Sequence, residues 1–82
     1  MHVTVISPER AVYDGEADAV VAPAFDGQVG ILPRHAPFIT LLGEGLLVVR
    51  KGSSDNRFRV SGGFLQVRKD VVRVLAGKAE SA

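Results

Sequence analysis

Turn-forming residues interrupt this chain at intervals of about 8–10 residues, and the runs between them have strand character. Residues 2–7, for example, place Val3 and Val5 on one face of an extended segment. Many short strands at this spacing indicate an all-β fold, here a flattened β-sandwich of two sheets. The predicted strands are 2–7, 10–13, 17–25, 28–32, 38–42, 46–50, 57–60, 64–68 and 71–75.

We therefore predict one domain over residues 1–82, with about ten short strands and no significant helix. Only residues 78–82 have helical character, and five residues cannot sustain a helix alone. Tight hairpin turns are expected at Asp14-Gly15 and at Asp26-Gly27. The second is predicted to be a type I′ turn, which requires a positive φ at Gly27.

Composition excludes several classes of function. The net charge of +1 gives no electrostatic reason to expect nucleic acid or an anionic lipid surface as the main partner. The chain has no cysteine, which removes disulfides, thiolate metal sites and thiol catalysis. No apolar run approaches the roughly 20 residues of a membrane helix, and no secretory signal is visible. These features predict a soluble protein kept inside the cell.

Two predicted strands are apolar on consecutive residues, at 19–24 and 46–49, so both of their faces need cover. One interpretation is that these strands lie centrally or bend between sheets. The other is that an outer face forms a protein interface. The sequence favours neither.

Residues 27–37 combine two glycines, two prolines and His35. Pro33 and Pro37 fix their own φ angles and push the residues before them into extended conformations. The imidazole between them should therefore be held in one place. A stiff, shaped loop on a strand scaffold is typical of a contact surface.

An enzyme hypothesis would rest on His35 as a general base, with Ser7, Thr40, Asp26 or Glu44 as its partner. However, no serine lies in a Gly-x-Ser-x-Gly turn. The two histidines lack metal-ligand spacing, and no phosphate-binding glycine loop is present. The sequence thus predicts no catalytic residue, no metal site and no cofactor.

A nucleic-acid hypothesis would need a basic face with aromatic side chains between the charges. Phe58 alternates with its neighbouring arginines and is expected to point inward, so solvated strand faces are the better interpretation. The residues considered for such a face are Arg57, Arg59, Arg68, Arg73, Phe58 and Phe64.

Together, these motifs resemble the N-terminal β-sandwich domain of the epsilon subunit of F-type ATP synthases. The most specific match is Gly-Gln-Val-Gly-Ile-Leu-Pro-Arg-His-Ala-Pro at 27–37. Val-Ile-Ser-Pro-Glu at 5–9, Tyr-Asp-Gly at 13–15, Thr40, Gly45, Val-Ser-Gly-Gly-Phe-Leu-Gln-Val at 60–67 and the strand at 71–76 follow in matching order. The resemblance covers essentially the whole chain.

The resemblance implies a non-catalytic subunit of the rotor's central stalk, which couples proton flow to ATP synthesis. In this family a sandwich of two five-stranded sheets packs on the gamma subunit and rests on the loops of the membrane c-ring. By position, the gamma contacts fall on Ser7, His35 and Thr40, and the c-ring contacts on Asp26, Gly27 and Gln28. Some members of the family have an acidic residue at the position of Gln28. The implied location is peripheral, at the cytoplasmic face of the bacterial inner membrane.

Most members continue into a two-helix hairpin that inhibits ATP hydrolysis and in some cases binds ATP, whereas this sequence ends at Ala82. This end point is compatible with a naturally short form, which would lack that inhibitory arm. It is equally compatible with an excised domain. The alternative function is a stand-alone β-sandwich module that binds a sugar or a peptide.

Overall fold

The computed structural model describes all residues from Met1 to Ala82 and contains strands but no helix. This confirms the predicted all-β class. The strands are β1 (His2–Ile6), β2 (Ala11–Glu16), β3 (Ala19–Ala24), β4 (Gly27–Ile31), β5 (Phe38–Leu41), β6 (Glu44–Lys51), β7 (Ser54–Arg68) and β8 (Val71–Ser81).

The strands pair in the order β2-β1-β8-β7-β6-β3-β4, with β5 on the second half of β7. Because β7 and β8 are long, each takes part in both layers of a sandwich. The β6 sheet contains β4, β3 and β6 with the first half of β7 and the end of β8. The β5 sheet contains β2, β1, the start of β8, the second half of β7, and β5. Ten strand segments thus arise from eight continuous strands.

Glycines mark the point where β7 and β8 pass between the sheets. Gly62 and Gly63 have φ angles of 71° and 97°, in the region that L side chains avoid. The pairing of β7 with β8 skips one residue on each strand here, from Ser61↔Lys78 to Gly63↔Ala76. The resulting bend lets one strand line two layers.

The core lies between the two sheets. It is built mainly from every second residue along each strand, the ones whose side chains face inward. The largest side chains with almost no exposure come from both layers. They include Ile31, Leu47 and Val49 of the β6 sheet and Leu65 and Val74 of the β5 sheet.

The doubly apolar strands β3 and β6 are both central, β3 between β4 and β6, and β6 between β3 and β7. The first of the two interpretations is therefore correct for their position. Their outward residues Val21 and Leu46 are only partly covered.

Three local predictions were wrong because long-range pairing outweighed local propensity. Residues 78–82 are not helical: β8 runs to Ser81, opposite the first half of β7. Asp14-Gly15 is not a turn but lies inside β2, opposite β1. Residues 54–56, which fall between the predicted strands 46–50 and 57–60, are also strand, since they pair with the end of β6.

The paired strands β1 and β2 carry a charged cluster around His2. Its Nδ1 lies 3.1 Å from Glu16 and its Nε2 lies 2.7 Å from Asp14. A carboxylate can only accept, so both ring nitrogens donate when the imidazole is protonated. Hydrogen bonds to Glu16 and then Asp14 raise the pKa of His2 above its ordinary value of 6.5.

This cluster predicts a pH-dependent contribution to stability. Since the folded-state pKa of His2 is raised, its contribution is fully present below pH 6.5 and is lost as the pH rises through the folded-state value. The stability advantage of the natural chain over His2→Gln should be larger at about pH 5.5 than at about pH 8.5, measured by urea unfolding. A double variant, Asp14→Asn with Glu16→Gln, should lose the pH-dependent stability that His2 contributes. An advantage independent of pH would contradict this reading.

Candidate docking surface

The loop between β4 and β5 is a rigid turn. The His35 N–H donates to the carbonyl of Leu32 at 3.2 Å, and Arg34 has a φ of 66°. Proline at the second position and a positive φ at the third are the signature of a type II turn. The Arg34 N–H also donates to Asp70 Oδ1 at 3.0 Å, which ties the loop to the turn between β7 and β8.

His35 is held at the base of this loop by its own neighbours. Its Nδ1 lies 2.7 Å from the carbonyl oxygen of Ala36, which can only accept, so Nδ1 carries the proton. Its ring meets Phe38 edge-on, with centroids 5.7 Å apart. No hydrogen bond joins it to any of the partners considered for a general base. The contacts of His35 are therefore those of a positioned surface group and form no catalytic pair.

Thr40 lies on β5 and is half-buried, with its hydroxyl donating to the carbonyl of Leu41 at 3.4 Å. Ser7 lies elsewhere. It is 5% exposed, and its Oγ is 3.1 Å from both Glu9 Oε2 and the Arg10 carbonyl, closing the connection from β1 to β2. Two strands separate β1 from β5, a distance of roughly 14 Å at the usual strand spacing. The structure thus groups His35 and Thr40 at one edge and places Ser7 across the sheet.

An exposed apolar patch, which sequence reasoning missed, lies beside Thr40. It consists of Phe25 (68% exposed), Ile39 (64%), Leu41 (61%) and Phe64 (37%). Leu41 pairs directly with Phe64 across the β5 sheet, and the Phe25 N–H donates to the carbonyl of Leu41 at 3.1 Å. These four side chains and Thr40 line one open depression. The only local signal for it was that four of the five residues at 38–42 are apolar.

The turn between β3 and β4, here called the tip, adjoins this patch through Phe25. Because Ala24 pairs with Gly27, the two turn residues are Phe25 and Asp26. Neither has a positive φ, so the predicted type I′ turn at Asp26-Gly27 is wrong. The positive φ predicted at Gly27 is confirmed at 135°. Asp26, Gly27 and Gln28 are all exposed.

The four arginines considered for a nucleic-acid face do not share one surface. Arg57 and Arg59 pair with β6 in the β6 sheet, while Arg68 and Arg73 lie in the β5 sheet. Phe58 is buried, as predicted. No group of three or more potential metal ligands is present. The structure has no helix of the length and apolarity needed to span a membrane.

The chain is similar to the epsilon chains of ATP synthases. A family model described as "ATP synthase, Delta/Epsilon chain, beta-sandwich domain" matches residues 1–82. The ATP synthase epsilon chain of Leptospira borgpetersenii serovar Hardjo-bovis is 45% identical over 75 residues, 92% of this chain and 59% of that protein. The ATP synthase epsilon chain of Alkalihalophilus pseudofirmus is 44% identical over 80 residues, 98% of this chain and 60% of that protein.

Solved structures show the same fold. A chain of the Euglena gracilis mitochondrial ATP synthase superposes with a TM-score of 0.89 at 24% identity, covering 96% of this chain and 51% of that one. A chain from the central stalk and c-ring structure of the Tetrahymena thermophila enzyme gives 0.81 at 18% identity, covering 98% and 65%. At these identities the likeness concerns the fold alone.

By its architecture, the chain is a two-layer β-sandwich domain with an exposed apolar patch on one face. The chain belongs to the family of ATP synthase delta/epsilon chain β-sandwich domains, as the resemblance predicted. It spans about 60% of the length of the curated relatives it matches.

Proposed function

We propose that this chain is a non-catalytic part of the rotor's central stalk in a proton-translocating ATP synthase. It docks on the gamma subunit and the c-ring and so helps to couple proton flow to ATP synthesis. The observation that carries the proposal is the apolar patch, which adjoins Thr40 on β5 and the tip. Its place of action is peripheral, at the cytoplasmic face of the bacterial inner membrane.

The gamma subunit is the proposed occupant of the apolar patch. Three of its four large apolar side chains are more than 60% exposed, a cost that a partner would remove. Two of the residues that the family resemblance assigns to gamma, His35 and Thr40, lie just before or on β5. Thr40 pairs with the buried Leu65, so its side chain faces inward, and it borders the patch at the edge of the sheet. Ser7 is proposed to mark the far boundary of the interface, through the turn that its hydroxyl closes.

The c-ring is the proposed partner of the tip. Asp26 is the second residue of this two-residue turn, and Gly27 and Gln28 follow it on β4. All three are exposed. Gln28 carries an amide in place of an acid, so the contact proposed there is a hydrogen bond to a polar c-ring loop and not a charge pair.

The test is binding of this chain to the purified gamma subunit from the same organism. We expect co-elution in size-exclusion chromatography, and we expect His35→Ala combined with Thr40→Ala to weaken the affinity by about 1 kcal/mol, since both residues border the apolar patch. Failure of the natural chain to bind gamma would refute the proposal. Unchanged affinity of the double variant would exclude His35 and Thr40 from the interface.

A second variant tests the tip. Gly27→Val should destabilise the domain by about 1–2 kcal/mol, because Gly27 has a φ of 135° although a Cβ there meets no atom within 4 Å. The variant should still fold and still bind gamma, and it should bind the assembled c-ring more weakly. Thermal unfolding and c-ring co-sedimentation are the measurements. Undiminished c-ring binding would count against the tip as the contact.

A further inference from the structure

The outer face of the β5 sheet has a second, basic half. An open cleft of about 290 Å³ lies beside the turn between β7 and β8. Its lining consists of Gln66, Arg68, Lys69, Val71 and Arg73. Three of these five residues carry a positive charge, and none carries a negative one.

The backbone brings these three basic residues to one cleft. Arg73 pairs with Gln66 and Arg68 pairs with Val71, so both arginines point from neighbouring strands to the same face. Lys69 lies in a turn whose two central residues, Lys69 and Asp70, have φ angles of 50° and 61°, the pattern of a type I′ turn.

No carboxylate neutralises this cluster. The ion pairs of the structure include none to Arg68, Lys69 or Arg73. The Asp70 carboxylate is turned to other groups, since it accepts from the Arg34 N–H at 3.0 Å and lies 3.7 Å from the N-terminal ammonium. Close like charges of this kind repel one another until an anionic group lies against them.

The basic cleft and the apolar patch form one continuous surface. Ile39 of the patch pairs with Gln66 of the cleft. A further depression runs between them and is lined by Pro37, Phe38, Ile39, Gln66, Val67, Arg68 and Lys69. A partner that covers the patch therefore also reaches the cleft.

We infer that the partner seated on the apolar patch presents an acidic segment to Arg68, Lys69 and Arg73, so that the interface has an apolar half and an ionic half. This inference rests on the proposed docking of the gamma subunit. The charged half steers the encounter and fixes the orientation of the partner, while the apolar half supplies most of the affinity.

The position of the cleft favours a protein carboxylate over a lipid headgroup. Phe64 of the patch and Arg68 of the cleft are four positions apart on β7, which corresponds to roughly 13 Å of extended strand. The patch adjoins the tip, so the cleft is the end of this face farther from the tip. If the tip rests on the c-ring, the cleft points away from the membrane.

The test is the association rate of the gamma subunit with the natural chain and with Arg68→Gln, Arg73→Gln, measured from low to high salt. We expect the variant to associate about tenfold more slowly at low salt, with the two rates converging at high salt and the dissociation rate nearly unchanged. Arg59→Gln is the matched control, because Arg59 lies on the same strand but in the β6 sheet. Equal melting temperatures exclude a folding defect.

The outcomes separate this inference from the proposed function. Equal association rates and equal salt dependence for the natural chain and the double arginine variant would overturn the inference alone, provided that the natural chain binds gamma. Absence of binding by the natural chain would overturn both. Arginine-dependent binding to vesicles that contain phosphatidylserine, with unchanged gamma kinetics, would assign the cleft to lipid and also overturn it.

Discussion

Replacement of Gly63 by alanine should remove a large part of the stability of this domain. Gly63 has a φ of 97°, and a Cβ there would overlap the carbonyl oxygen of Leu75 and lie 2.9 Å from the Cα of Ala76. Both obstacles are backbone atoms of β8, which cannot rotate away. Backbone strain alone costs about 1–2 kcal/mol, and separation of β7 from β8 adds to it, so we expect a loss of about 3–5 kcal/mol. The whole domain has roughly 4–12 kcal/mol available.

Gly62→Ala provides the matched control. Gly62 also has a positive φ, 71°, but a Cβ there meets no atom within 4 Å. Its expected cost is therefore the strain term alone, about 1 kcal/mol. Urea unfolding of the two variants measures the difference. Similar losses for both would mean that the close approach of β7 and β8 does not limit this position.

Removal of the apolar patch should have the largest effect on binding. Leu41→Thr together with Phe64→Thr keeps side chains that suit a strand but removes two paired apolar groups from the centre of the proposed interface. Truncation of a central residue can cost about 2 kcal/mol or more, so gamma affinity should fall by about 30-fold or more. Isothermal titration of gamma with the two chains measures it.

The opposite sheet offers a control of equal chemistry. Leu46 and Val21 lie on the outer face of the β6 sheet and are 38% and 36% exposed, close to the 37% of Phe64. Leu46→Thr with Val21→Thr should leave gamma affinity within about twofold, since surface changes away from an interface have little effect. A greater loss in this control than in the patch variant would move the interface to the β6 sheet.

The fold class could be predicted from the sequence because strand alternation and turn residues are local signals. The lengths of β7 and β8 could not. Ser54, Asp55 and Asn56 have poor strand propensity and are extended only because the end of β6 lies opposite them. Residues 78–81 are likewise fixed by the first half of β7. Pairing between distant segments determines these boundaries, and no short window of sequence contains it.

The candidate docking surface was predictable only where local residues determine it. Gly27, Pro33 and Pro37 act on their own backbone, so a stiff loop could be inferred from them. The apolar patch could not, because all but one of residues 38–42 are apolar and only the pairing of β5 with β7 decides which of them face outward. The separation of Ser7 from Thr40 likewise depends on the order of strands in the β5 sheet.

Hydrogen–deuterium exchange of the chain with and without the gamma subunit locates the interface on the β-sandwich. We expect slower exchange in the complex for residues 38–41 of β5 and 63–68 of β7, with no change for β3 and β6. Slowed exchange confined to β3 and β6, or no change anywhere on saturation with gamma, would contradict it.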